Sequence, residues 1–226
     1  MKVWILALTL VTQLAWAAPN EVHHPAPKQP IFLSEVLYKT MTPALKPIPS
    51  AGSPELIADY GELIYLQNTR TEAQCAAAKK EVLVSLESFF GGEQSILSRA
   101  DIQRLAPFFE QVRNDADFFI QKLKVDLPRP RPFKYIPELK PCVPLEVTMS
   151  YPSGHATLAE LFSLILADIY PAKKEQLFAR AKQIGTNRIL AGMHHRSDVS
   201  AGQELGRLLY AHFKKNQAFK DSVSKL

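Results

Sequence analysis

Tyr151-Pro152-Ser153-Gly154-His155-Ala156-Thr157-Leu158-Ala159-Glu160-Leu161-Phe162-Ser163-Leu164-Ile165-Leu166-Ala167-Asp168-Ile169-Tyr170 is the stretch on which the fold turns. Ser153 stands where a helix N-cap belongs, and Gly154 lets other backbone approach closely. From there Leu158, Leu161, Phe162, Leu164, Ile165, Leu166 and Ile169 cover nearly every side of the helix that follows. A helix apolar all round is buried among others. Glu160 and Asp168 interrupt this one, and it is too short to span a bilayer. A helix N-terminus carries free N–H groups and partial positive charge, so the Ser153-Gly154-His155 corner suits an anion. By itself, the corner reads as well as an ordinary serine cap with an incidental histidine.

Outward from this segment, the apolar spacing keeps a helical period. Downstream it predicts helices over about Lys173–Ala191 and Ser197–Lys214. Upstream, Ser53-Pro54 starts a helix with the stripe Leu56, Ile57, Tyr60, Leu63 and Ile64, and Thr71 with Gln74 resembles a capping box. A helix carrying Val82, Leu83, Leu86, Phe89 and Phe90 is expected to stop at Gly91-Gly92, and another to run from Pro107 to Lys124. Eight of the 17 prolines fall between Pro19 and Pro54 and seven between Pro128 and Pro152. Proline excludes regular helix there. Those zones read as an extended arm, with one short helix at Leu33–Met41, and as a mid-chain loop. No stretch shows strand alternation. The expected fold is all-α, a single-domain helical bundle with a Pro-rich N-terminal arm.

The N-terminus, Met1-Lys2 followed by an apolar run to Leu14 and Ala15-Trp16-Ala17, reads as a signal peptide over residues 1–17. Residues 18–226 are then the mature domain, with the arm at 18–52 and the helical core at 53–226. The expected location is the periplasm, with no membrane span. A net charge of +5 and no dense basic block beyond Lys214-Lys215 argue against nucleic-acid binding and suit an anionic substrate weakly. Cys75 and Cys142 are an even pair; in an oxidising compartment a disulfide is favoured over two buried thiols.

Arg188 stands four residues after Ile184 on an otherwise apolar helical line, where a guanidinium needs an anionic partner, a protein carboxylate or a ligand. His194 and Asp198 are four apart, a spacing that lets a carboxylate fix one imidazole nitrogen and leave the other to attack. The same pair also reads as a loop histidine and a helix-start acid. His195 is expected to face elsewhere. The loop around Lys122, Lys124, Arg129 and Arg131 is either a preorganised anion clamp or a solvated basic linker.

Together, Lys-x6-Arg-Pro, Pro-Ser-Gly-His and Arg-x5-His-x3-Asp, in this order, resemble the three-part signature of the type 2 phosphatidic acid phosphatase superfamily, here at Lys124–Pro132, Pro152–His155 and Arg188–Asp198. The signal-type N-terminus and length are similar to its class A bacterial non-specific acid phosphatases. The resemblance implies an exported phosphatase that hydrolyses small-molecule phosphomonoesters without metal or other cofactor. His194 would be the nucleophile, Asp198 its orienter and His155 the general acid. Lys124, Arg131, Ser153, Gly154 and Arg188 would bind phosphate. It leaves room for a homo-oligomer. Two features depart from the pattern. Asn187 stands where the family often has serine, and Lys122 with Arg129-Pro130 repeats the spacing of Lys124 with Arg131-Pro132. The second register is preferred because Phe133 follows its proline. A vanadium-dependent haloperoxidase resembles the same residues, and a catalytically silent phosphate-binding module is the reading from another class.

Overall fold

The computed structural model describes residues 21–22, 28–92 and 95–226, so the signal-peptide reading of residues 1–17 lies outside the described residues. Nine α-helices occur among them: α1 (Tyr38–Met41), α2 (Pro54–Thr69), α3 (Glu72–Lys80), α4 (Leu86–Phe90), α5 (Arg99–Asp126), α6 (Gly154–Ile169), α7 (Lys174–Leu190), α8 (Arg196–Phe213) and α9 (Gln217–Val223). The all-α expectation holds with one small addition. Strands β1 (Glu21–Val22) and β2 (Leu145–Glu146) form a two-residue parallel ladder, Glu21 opposite Leu145 and Val22 opposite Glu146. No helix among the described residues is long and apolar enough to cross a membrane.

Helix α6 is the centre, packed against α5, α7 and α8. Leu158, Leu161, Phe162, Ile165 and Leu166 are buried along it, and Phe162 meets Phe109 of α5 edge-on at 5.0 Å between ring centres. Each such side chain contributes about 1.5–3 kcal/mol on burial. Helix α8 approaches α6 closely because it presents glycine there. A Cβ on Gly206 would sit 2.7 Å from the Thr157 carbonyl oxygen, and one on Gly202 would collide with the Ser153 carbonyl. That approach brings the first turn of α8 beside the first turn of α6, and the Ser153 N–H donates to the Asp198 carbonyl at 3.0 Å. Alanine in a helix interior ordinarily gains about 0.5–1 kcal/mol over glycine, but overpacking costs about 1–3 kcal/mol, and here the obstacle is backbone. Gly202→Ala is therefore expected to lower the urea midpoint of unfolding; an unchanged or raised midpoint would show that α8 does not depend on this approach.

Several elements differ from expectation for physical reasons. The helix expected through Val82–Phe90 is broken. Helix α3 ends at Lys80, and α4 starts only after the cap Ser85, because Glu81 turns inward to pair with Arg180 at 2.8 Å. On α2 the buried face is Asp59 and Leu63, while Ile57 is 64% exposed, because Asp59 is held by partners from other segments. Helix α5 starts at the Ser98–Asp101 capping box and runs through Pro107, which lies on the exposed side, where water can take the carbonyl that a proline leaves without a donor. The expected helix at Leu33–Met41 is a 3-10 turn, Glu35–Leu37, followed by α1. Helix α9, which the spacing did not reveal, is capped by Asn216 and anchored by buried Phe219. The arm docks on α5: Asp115 accepts the N–H groups of Ile31, Phe32 and Leu33 at 2.5, 2.7 and 2.8 Å. Cys75 and Cys142 form a disulfide that ties α3 to the mid-chain loop.

Candidate active site

Asp198 lies in the first turn of α8 and is fully buried. Its carboxylate accepts from the His195 N–H at 2.9 Å, His195 Nδ1 at 3.0 Å, Ser150 Oγ at 2.6 Å and Arg129 Nη1 at 2.6 Å. His194 Nδ1 stands 3.6 Å from the same carboxylate and 3.4 Å from Ser150 Oγ. Burial alone would raise the Asp198 pKa; the hydrogen bonds with His194 and His195 prevail and hold it well below the usual carboxylate range. Arg129 extends the network, donating to Asp59 at 3.1 Å and to Ser197 Oγ at 2.7 Å. Ser197 in turn donates its N–H to Asp59 at 2.9 Å. The result is a buried Asp59–Arg129–Asp198 chain under the start of α8.

His194 presents its other nitrogen to a cation. Arg131 Nη1 is 2.8 Å from His194 Nε2 and donates to the Met193 carbonyl at 3.2 Å. Burial first, then the charge of Arg131, pushes the His194 pKa well below its ordinary value, so the imidazole is neutral near pH 7. Lys124, at the end of α5, is 4% exposed and donates to the carbonyls of Met149 and Ser150. Burial, with Arg131 adding to it, lowers its pKa to about 7. Arg188 is fully buried; its Nη2 meets Glu146 Oε1 at 2.6 Å, while Nε and Nη1 find no acceptor among the described residues.

The repeated spacing separates by side. Lys122 points outward, 3.4 Å from Asp126 and over the Tyr38 ring at 4.5 Å. Lys124, two residues on, points inward. Likewise Arg129 supports Asp198 from behind, and Arg131 faces His194. The structure therefore gathers Lys124, Arg131, Arg188 and His194 on one side and leaves Lys122 outside it.

The α6 corner completes this side. Ser153 caps α6, and its Oγ accepts from the Ala156 N–H at 3.4 Å. His155, in the first turn, has Nε2 at 3.1 Å from the Glu81 carbonyl and Nδ1 at 4.0 Å from Glu146 Oε1. A cavity of about 170 Å³ opens over Lys124, Glu146, Gly154 and His155, with Val82–Val84 on its apolar wall. Asn187 donates to Glu81 at 2.8 Å and accepts from Gln183. It acts on the Glu81 carboxylate behind His155, not on the cradle of cations.

Sequence reasoning missed Glu146, Arg129 as a support, Asp59, Ser150 and Glu81. Asp59 carried a signal, a lone carboxylate on the apolar face of α2; Glu146 carried none, sitting in the Pro-bounded loop with no motif. His195 does face away from the cradle, donating or accepting at Tyr135 Oη at 2.6 Å, yet it lies closer to Asp198 than His194 does. No cluster of three or more His, Cys, Asp or Glu side chains placed to hold a metal ion occurs among the described residues.

Residues 116–220 match the PAP2 superfamily. The chain is similar to the non-specific acid phosphatase of Salmonella typhimurium, 35% identical over 77 residues, which are 34% of this chain and 31% of that one. The match thus spans under a third of that relative's length. It is also similar to the non-specific acid phosphatase of Providencia stuartii, 26% identical over 80% of this chain and 77% of that one. Among solved structures, a transmembrane PAP2-type phosphatidylglycerolphosphate phosphatase from Bacillus subtilis shares the fold at a TM-score of 0.53 and 17% identity, over 84% of this chain and 94% of that one. A bacterial vanadium-dependent iodoperoxidase shares it at 0.59 and 14%, over 79% of this chain and 53% of that one.

Proposed function

We propose that this chain, which carries a PAP2-superfamily domain at residues 116–220, is an exported acid phosphatase that hydrolyses small phosphomonoesters through a phosphohistidine at His194, without a metal ion. The observation that carries the reading is Arg188, a fully buried guanidinium whose Nε and Nη1 find no acceptor among the described residues, beside Arg131, Lys124 and a neutral histidine. A buried cation with donors to spare calls for an anion richer in acceptors than one carboxylate.

In this reading Lys124, Arg131 and Arg188 take the phosphoryl oxygens, with Ser153 and the Gly154 N–H at the α6 N-terminus. His194 Nε2 attacks phosphorus while the ester P–O bond breaks, and His155 gives its proton to the leaving alkoxide. Water then attacks the phosphohistidine with His155 as base, releasing phosphate and restoring His194. Asp198 steadies the Nδ1 side of His194 and the positive charge that forms on the ring. The cations supply the charge neutralisation that a metal would supply elsewhere. Export is supported by the Cys75–Cys142 disulfide, a bond that persists in oxidising compartments.

The test is hydrolysis of p-nitrophenyl phosphate with and without a chelator across pH. Turnover is expected to survive the chelator. Lys124, with its pKa lowered to about 7, is charged below that pH and neutral above it. The cradle therefore loses a cation as pH rises, and KM should climb through pH 7 and beyond, approaching tenfold per pH unit. Activity abolished by the chelator, or phosphate binding without hydrolysis, would sink the reading.

A further inference from the structure

Glu146 holds both guanidinium groups of the cradle at once. Its Oε2 is 2.5 Å from Arg131 Nη2 and its Oε1 is 2.6 Å from Arg188 Nη2. It also lines the cavity, of which His194 is not a lining residue, and is 5% exposed. A carboxylate that lines the cavity thus sits on the groups that would bind the phosphoryl oxygens. We propose that Glu146 is an internal competitor of the substrate: phosphate enters the Arg131–Arg188 cradle only by displacing this carboxylate, and Glu146 thereby sets the enzyme's affinity for phosphate. The proposal rests on the phosphatase reading of the site.

The geometry says why phosphate can win the exchange. A carboxylate is planar and has two oxygens; here each takes a hydrogen bond from one guanidinium, and Arg188 Nε and Nη1 have no acceptor among the described residues. A phosphomonoester offers three non-bridging oxygens in a tetrahedral array and two charges, so it can engage those donors as well. A place for the displaced carboxylate exists close by. Glu146 already lines the cavity, so a small swing takes its carboxylate from the two arginines into that space, where water solvates it. The backbone can follow, because β2 is only two residues long and its neighbours Val147 and Met149 are 45% and 41% exposed.

A binding site competent in only a fraction of molecules shows its intrinsic affinity reduced by that fraction. Removing the competitor should therefore tighten every cradle anion. Calorimetric titration with inorganic phosphate reads this without turnover. In Glu146→Ala, phosphate is expected to bind about tenfold more tightly than in the wild type. Acetate, without effect on the wild type, is expected to become a competitive inhibitor of phosphate binding, because it refills the carboxylate's place. A carboxylate that merely held the two arginines in position would instead weaken phosphate binding when removed. If Glu146→Ala fails to fold with Arg131 and Arg188 unpaired, Glu146→Gln keeps the shape, and its phosphate affinity decides the matter. Unchanged or weaker phosphate binding in the folded variant, or indifference of Glu146→Ala to acetate, overturns the proposal while leaving the phosphatase reading intact. Absence of phosphate binding in the wild type and the variant alike would overturn both.

Discussion

His194→Ala is expected to lower kcat by roughly 10,000-fold or more, the scale seen when the nucleophile of a covalent mechanism is removed. Among the described residues the surroundings offer no substitute. His195 is buried, with Nδ1 on Asp198 and Nε2 on Tyr135. His155 is committed at Nε2 to the carbonyls of Glu81 and Val82. Neither can bring a lone pair to the point that His194 Nε2 occupies beside Arg131. The variant should still bind inorganic phosphate within a few-fold of the wild type, because Lys124, Arg131 and Arg188 remain, and the loss of a ring without formal charge does not alter the cradle's cations. The measurement pairs steady-state kinetics with acid-labile phosphate trapped on the protein by rapid quench. Substantial turnover in the variant, or a trapped phosphoenzyme without His194, would remove this histidine from the mechanism.

The parts of this site that could be read from the chain are those whose position is fixed by neighbours in sequence. Ser153 caps α6 because a serine before a glycine and an apolar run has few other uses, and Arg188 stood out as a charge on an apolar line. Contacts made across the fold left little trace. Arg188 needed an anionic partner, but nothing marks Glu146, 42 residues away, as that partner. The break between α3 and α4 follows from Glu81 reaching Arg180 and Asn187 on α7, and the local apolar period runs straight across it. Lys122 and Lys124 show the limit most plainly. Their spacing to the two arginines is the same, and only the rotation of the last turn of α5 separates an exposed ion pair with Asp126 from a buried lysine whose pKa is lowered to about 7. That rotation is set by Leu123, Ile120 and Phe119 packing into the core, a tertiary choice rather than a local one.

The same two-residue alternation gives the largest expected change in stability. Arg129→Ala should destabilise the protein by about 3–5 kcal/mol, because it leaves Asp59 and Asp198 buried without the charge that spans them. Lysine would not restore the wild type: the fork of Arg129 reaches Asp198 and Ser197 with one nitrogen and Asp59 with the other, and an ammonium group is a single point charge. The pH dependence has a definite sign. A carboxylate held below its unfolded pKa, as Asp198 is, contributes stability that is present above about pH 4 and lost as pH falls through the native value. The ion pair of Arg129 with Asp198 is lost once that carboxylate is protonated, so the gap between variant and wild type should be widest near neutrality and narrow in acid. Arg131→Ala, two residues away, should behave in the opposite sense. Glu146 keeps Arg188 as a partner, so stability falls less, while phosphate affinity falls about tenfold to a hundredfold with the loss of charge-assisted hydrogen bonds. Urea unfolding and phosphate titration of the two variants side by side make the comparison. If Arg129→Ala lost phosphate binding at near-native stability, the assignment of these two arginines to opposite sides of His194 would be wrong.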